Sequence, residues 1–285
     1  MSKVWLITGC SSGIGESVAI EALKRGDKVV ATSRNLQKLE KAFEKHGKND
    51  SLLLKKIDVT DDFEVIKKAV DEIVGAVGQI DFLINNAGYV EENLLEFAST
   101  KQAYDQFNTN VFGLLSVTRA VLPHMRSKKT GVIVNVSSGA GWDGFPITGL
   151  YAASKFAVEG LSIALRKEVE QFGIKVLVAE PGMTRTEFFQ EKNMVKITEH
   201  EAYKEMLDGY KNNTALYHGQ QPGDPNKLAK LLVDVVRQEN GAANREFPDI
   251  LPLGEDAYYM VKGRAENGLK TIEEWKDFAF GVKFD

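Results

Sequence analysis

Cysteine is almost missing from this sequence. The single thiol, Cys10, rules out an intrachain disulfide. Histidine is also scarce. His46, His124, His200 and His218 are scattered, and none stands at metal-ligand spacing from a cysteine or another histidine, so no metal site is expected. Net charge is small, −4, with acids and bases mixed along the chain. Without a basic face, nucleic acid is not an expected partner. No apolar run is long enough to span a membrane, and the one near the N-terminus (Met1–Gly9) is too short for a signal peptide. The Asn212-Asn213-Thr214 sequon carries no meaning without secretion, and the cytosol is the expected compartment. Internal repeats and low-complexity linkers are absent as well.

What is present suits one large α/β domain: 285 residues, 43% of them hydrophobic. Short apolar runs at 4–8, 28–33, 52–59, 80–85, 132–136 and 175–179 alternate with amphipathic stretches at 13–25, 35–46, 61–77, 100–127 and 150–172. Most of the runs are apolar throughout rather than alternating, as in strands covered on both faces of a parallel sheet. The β-α-β-α order predicts a doubly wound Rossmann sheet in a single domain over 1–285, with a further strand near 246–251. Residues 186–225 are polar and broken by Gly and Pro, and are expected to form a lid at the carboxyl edge of the sheet. The tail from 254 to 285 reads as a helical, aromatic-rich extension.

The first strand runs into Thr8-Gly9-Cys10-Ser11-Ser12-Gly13-Ile14-Gly15 and then a helix. Glycines here allow a tight turn and close approach to a pyrophosphate, and the helix N-terminus offers free N–H groups and a positive dipole end to that anion. The Gly-x-x-x-Gly-x-Gly spacing departs from the general Gly-x-Gly-x-x-Gly fingerprint. A turn that binds nothing is the competing reading. Asp58 ends the third run, where a carboxylate would meet an adenine amino group, although Asp58-Val59-Thr60-Asp61-Asp62 also reads as a helix-starting turn. Asn86, Ala87 and Gly88 end the fourth, where small residues let a cofactor lie on the backbone. Arg34 follows the second strand, where an acid would receive the ribose diol of NAD. An arginine there suits a 2′-phosphate, with Ser11 or Ser12 adding a hydroxyl, unless it is merely a surface charge. NADP(H) is therefore the preferred cofactor, with NAD(H) as the alternative.

Tyr151 and Lys155 are four apart on an expected helix and share a face. An ammonium beside a phenol favours the phenolate and makes the tyrosine a usable acid–base. Ser138, with Ser137 as its rival, ends the fifth strand, where a hydroxyl would meet the charge developing on a substrate oxygen. An apolar substrate pocket is expected from Gly139, Trp142, Phe145 and Pro146, closed by Phe188 and Phe189.

Together these residues resemble the short-chain dehydrogenase/reductase family in its compact one-domain form. The matching elements are the glycine turn, Asp58, Asn85-Asn86-Ala87-Gly88, Asn110, Asn135-Val136-Ser137-Ser138, Tyr151-x-x-x-Lys155 and Pro181-Gly182 with Thr184 and Thr186, in the family's order over residues 4 to about 186. The glycine segment is similar to that of hydroxysteroid dehydrogenases and bacterial carbonyl reductases.

The resemblance implies hydride exchange with the nicotinamide and no metal at the chemistry. Tyr151 would donate or accept the proton and Ser138 would orient the substrate oxygen. Lys155 would hold the nicotinamide ribose and tune Tyr151, while Asn110 would fix a helix backbone and a proton-relaying water. Pro181, Gly182, Met183, Thr184 and Thr186 would form the turn that meets the nicotinamide amide. The expected reaction interconverts an alcohol with a hydrophobic ketone or aldehyde. The alternatives are an NAD-linked alcohol, sugar or steroid dehydrogenase, or a non-catalytic nucleotide sensor on the same fold. Homodimers or homotetramers through 100–127 and 150–172 are common in the family.

Overall fold

The computed structural model describes residues 2–187, 197–217, 219–282 and 284. Its strands are β1 (Val4–Ile7), β2 (Lys28–Ser33), β3 (Leu52–Lys56), β4 (Phe82–Asn85), β5 (Gly131–Val136), β6 (Ile174–Pro181) and β7 (Ile250–Leu253). They form one sheet in the order β3-β2-β1-β4-β5-β6-β7, and every pair is parallel.

Side chains alternate across the strands and feed two cores. Trp5, Ile7, Val29, Ala31, Val132 and Val134 point to one face, covered by α1 (Gly13–Lys24), α2 (Leu36–Glu44) and α8 (Pro225–Arg237). Leu6, Val30, Leu83, Ile133 and Val176 point to the other, covered by α3 (Phe63–Val77), α5 (Leu114–Lys128) and the far end of α6 (Gly149–Val169). Burial on both faces explains why the strands read as continuous apolar runs. Because β2 and β4 flank β1, the chain reverses its winding there. A crevice opens at the carboxyl ends of β1 and β4, where such sheets bind ligands.

Three stretches differ from the expectation. The amphipathic stretch 100–127 is not one continuous helix: α4 (Thr100–Phe107) and α5 are joined by a wider π-helical turn, Asn108–Gly113. The last strand lies at 250–253 rather than 246–251. Pro248 has no N–H for a ladder, and pairing with β6 starts where Asp249 O accepts from Val178 N. Pro252 is tolerated because β7 is an edge strand. The stretch expected as a lid contains α7 (Lys204–Tyr217), and α8 follows it. The tail is helical, as α9 (Glu255–Glu274) and α10 (Lys276–Ala279). No helix among the described residues is long and apolar enough to cross a membrane.

Candidate functional site

The glycine turn is built by close packing against the end of β4. Gly9 has φ +70°, and a Cβ there would stand 2.9 Å from Ala87 Cα. A Cβ on Gly15 would lie 2.5 Å from Asn86 Nδ2 and 2.6 Å from Gly9 O. Asn86 is fixed in that gap, donating from Nδ2 to Thr8 O (2.9 Å) and Gly9 O (3.1 Å). The Thr8 hydroxyl accepts from the backbone N–H groups of Asn86 and Ala87, both at 3.0 Å. So Gly9, Gly15 and Asn86 shape the turn itself. The opening of α1 at Gly13-Ile14-Gly15 is the part that could face a ligand. Ser12 caps that helix without a side-chain hydrogen bond, which leaves the first-turn N–H groups for an anion. Thr186 reaches across to Gly13, with its Cβ 3.3 Å from where a Gly13 Cβ would stand. Ser11, Ser12 and Gly13 also line a cleft of about 650 Å³ that continues between α1 and α2 past Lys38 and Arg185.

The residues expected to transfer the proton converge at the carboxyl end of β5. The Tyr151 hydroxyl is hydrogen-bonded to Ser138, and this contact pulls its pKa down against a larger upward push from burial that carries it to about 12. The phenol is therefore a neutral acid in this arrangement. The net shift is upward, where a lowering by Lys155 was expected. The ammonium donates instead to Val136 O (2.8 Å) and sits 5.6 Å from the Tyr151 ring centre. Burial lowers Lys155 to about 8, against an opposing pull from Glu159. Ser137 is buried away from Tyr151, facing Glu159, so of the two serines the geometry pairs Ser138 with the phenol.

Asn110 lies in the π-helical turn, the kind of irregularity that often marks functional sites. Its Oδ1 accepts from Tyr89 N (3.1 Å), and its Nδ2 donates to Tyr89 O (3.0 Å) and Ser154 Oγ (3.1 Å). It thereby ties the loop after Gly88 to α6 one residue before Lys155. A Cβ on Gly88 would come within 3.2 Å of Asn110 Oδ1.

The remaining expected residues fall as follows. Arg34 is exposed just past β2, with no hydrogen-bond or ion-pair partner among the described residues. Asp58 closes its own turn, accepting from Thr60 N (3.0 Å) and Thr60 Oγ1 (2.7 Å). Phe145 and Pro146 line an apolar cavity of about 210 Å³ with Leu94, Ile147, Gly149 and Met206. Gly149 is two residues before Tyr151. Trp142 and Gly139 are not on that cavity: the Trp142 indole donates to Glu180, and Gly139 is buried against Met260. Phe188 and Phe189 lie outside the described residues.

Several residues here were not anticipated. Asp256, in the first turn of α9, accepts from Met183 N (2.6 Å). A Cβ on Gly182 would collide with its carboxylate at 2.0 Å. The Pro181-Gly182-Met183 turn is thus fixed from the C-terminal extension, while Thr184 closes on Gly182 O (3.0 Å). Residues 197–210 pack on the loop after Gly88 through Thr198 N to Asn93 Oδ1 (3.1 Å), Tyr203 OH to Glu96 (2.6 Å) and Tyr210 OH to Glu92 (2.6 Å). Nothing in the local sequence around these carboxylates distinguishes them from surface acids.

The chain as a whole has counterparts among known proteins. The model of the family described as short chain dehydrogenase matches residues 3–196. Oxidoreductase BOA17 of Botryotinia fuckeliana is 34% identical over 279 residues, covering 98% of either chain. A solved short-chain dehydrogenase from Streptomyces avermitilis superposes with a TM-score of 0.88 at 34% identity, over 100% of both chains. The structure of ElxO with NADP bound superposes with a TM-score of 0.70 at 30% identity, over 89% of this chain and 97% of that one. With both the fold and the family matched, the chain belongs to the short-chain dehydrogenase family and is an NAD(P)-dependent oxidoreductase.

Proposed function

We propose that this enzyme reduces a hydrophobic ketone or aldehyde to the alcohol with NADPH, reversibly, with Tyr151 as the general acid. The observation that carries this reading is the Tyr151 hydroxyl, hydrogen-bonded to Ser138 at the end of β5 and kept protonated by burial. A protonated phenol at that place can give its proton to a carbonyl oxygen. Ser138 offers a hydroxyl to the same oxygen as negative charge develops on it. Lys155, held by Val136 O, supplies positive charge behind the phenol as it becomes phenolate. In the alcohol direction, Tyr151 takes the proton back. The bound nicotinamide supplies or accepts the hydride.

The residues suit that cofactor. The uncapped N-terminus of α1 would hold the pyrophosphate, Gly88 and Ala87 would lie under it, and Asp58 keeps one carboxylate oxygen free of its turn for an adenine amino group. The turn from Pro181 to Thr186 would meet the nicotinamide. The exposed Arg34 guanidinium has no ion-pair partner among the described residues and would pair with a 2′-phosphate, in keeping with the NADP of the ElxO complex. The cavity bounded by Phe145, Pro146 and Met206 favours an apolar substituent on the carbonyl. Residues 197–217 would serve as its lid. Tyr104, Phe112, Phe156 and Ile163 expose apolar surface on α4, the π-helical turn and α6, which suits pairing with a second copy.

The test is oxidation of NADPH and of NADH with a panel of cyclohexanone, acetophenone, benzaldehyde and longer alkyl ketones. Turnover with NADPH exceeding that with NADH, and rising with apolar size, is expected. No carbonyl-dependent oxidation of either cofactor anywhere in the panel would sink the reading.

A further inference from the structure

Behind Lys155 lies a second pair of acids that the proton transfer described above does not use. Glu159 sits one helical turn after Lys155 on α6, and Glu180 is the penultimate residue of β6, directly before the Pro181-Gly182 turn. Glu180 is 0% exposed, and Glu159 is buried as well. The two carboxyl groups face each other, and burial is the first cause that raises both: Glu159 upward from its ordinary value, and Glu180 to about 8. Two buried carboxylates side by side in low dielectric cannot both be ionised at neutral pH without a second cation. The charged group bearing on them among the described residues is Lys155, and it bears on Glu159.

The donors around the pair are few. From the turn after β5, Trp142 Nε1 donates to Glu180 Oε1 (2.5 Å). From the end of β5, Ser137 faces Glu159. Space is tight enough that a Cβ on Gly141 would lie 2.9 Å from both Glu159 Oε1 and Ser137 Oγ. Among the described residues, Glu180 Oε2 and both oxygens of Glu159 have no hydrogen-bond donor in good geometry. Buried carboxylate oxygens left so are costly. A proton between the two acids removes most of that cost. If Glu180 carries it, Oε1 still accepts from Trp142 while Oε2–H donates to Glu159.

We propose that Glu180 stands protonated and donates to an ionised Glu159, so that the pair carries one negative charge that keeps Lys155 an ammonium behind Tyr151. The two acids are positioning residues: neither touches the reacting atoms. Charge in the pocket then balances, one cation against one shared anion. The part concerning Tyr151 rests on the function proposed above; the shared proton does not.

Two measurements separate these parts. The first is the infrared spectrum of the unliganded enzyme at neutral pH in the carboxylic-acid carbonyl region, wild type minus E180Q. One buried acid band, present in wild type and lost in E180Q, is expected. No such band, or a band that survives in E180Q, overturns the assignment whatever the activity.

The second is the pH profile of kcat/KM for oxidation of the alcohol matching the fastest panel ketone, with NADP+, where Tyr151 must act as phenolate. In E180Q the amide oxygen can accept from Trp142 and its NH2 can donate to Glu159, so the acidic limb should keep its position. In E159Q/E180Q the counter-charge is gone, Lys155 loses its proton earlier, and the limb should move to higher pH by about one unit or more. E159Q, which leaves Glu180 free to ionise farther from Lys155, should fall between. A limb that stays put in the double variant, or moves as far in E180Q as in the double, contradicts the proposal. A wild-type acid band together with no panel turnover would leave the shared proton standing and count against the function instead.

Discussion

At the scale of single residues, the site depends on charges whose surroundings differ. Arg34 is exposed and has no ion-pair partner among the described residues, so its expected role is recognition rather than stability. A guanidinium offers two parallel donors to a 2′-phosphate, and hydrogen bonds to charged groups are worth roughly 1.5–3 kcal/mol. Arg34→Ala should therefore weaken kcat/KM for NADPH by about 10- to 100-fold and leave NADH nearly unchanged. Arg34→Asp should go further and favour NADH. Equal losses for both cofactors in the alanine variant would overturn the NADP assignment.

Lys155 is the opposite case. Burial lowers its pKa from 10.5 to about 8. Between those values the unfolded chain binds the proton more tightly than the folded one, so folding gains stability as pH rises. Against Lys155→Met, wild type should gain on the order of 2–3 kcal/mol in urea unfolding between about pH 8 and pH 10. The comparison should stop there, because Tyr151, raised to about 12, works in the other direction above pH 10. A constant difference between the two proteins would show that Lys155 is not desolvated.

The positions of Ser138, Tyr151 and Lys155, and of Arg34 just past β2, were legible because each stands at a fixed offset from a strand or from another of these residues. Glu159, Glu180 and Asp256 were not. A carboxylate on a helix or strand end reads as a surface charge until tertiary packing closes over it.

At the scale of elements, strands were easiest to read, since a strand buried on both faces must be apolar at nearly every position. The π-helical turn at 108–113 was invisible because its apolar residues keep close to helical spacing. What changes there is the hydrogen-bond pattern, which presents Asn110 to Tyr89 and Ser154 at once. The strand at 250–253 was misplaced by a few residues because Phe247 and Ile250 both suit a sheet, and only pairing with β6 sets the register. The region before α8 was read as a lid from its Gly and Pro breaks, whereas its helix α7 was missed. That helix rests on the loop after Gly88 through Tyr210 and Glu92, with Tyr203 just before it holding Glu96, and packs Leu207 on Leu94 and Ile147, so it covers the apolar cavity by a small contact area. Segments held by few contacts open locally at low cost. Amide exchange over 197–217 should slow when NADPH and a non-reacting ketone analogue are bound together. Identical exchange with and without ligands would argue against a lid.

At the scale of the molecule, one sheet gathers parts from distant stretches of sequence. The reversal of winding beside β1 puts the glycine turn next to the end of β4. The end of β5 brings Ser138 to Tyr151, and the C-terminal helix α9 returns to fix the turn after β6 through Asp256. The central claim is that this convergence transfers a proton through Tyr151 during carbonyl reduction. The direct test is carbonyl-dependent NADPH oxidation by Tyr151→Phe, alongside NADPH binding followed by fluorescence. The phenylalanine keeps the ring and removes the proton, so turnover should fall by about 10²- to 10⁴-fold while binding is preserved. Turnover close to wild type in a variant that binds NADPH normally would contradict the account.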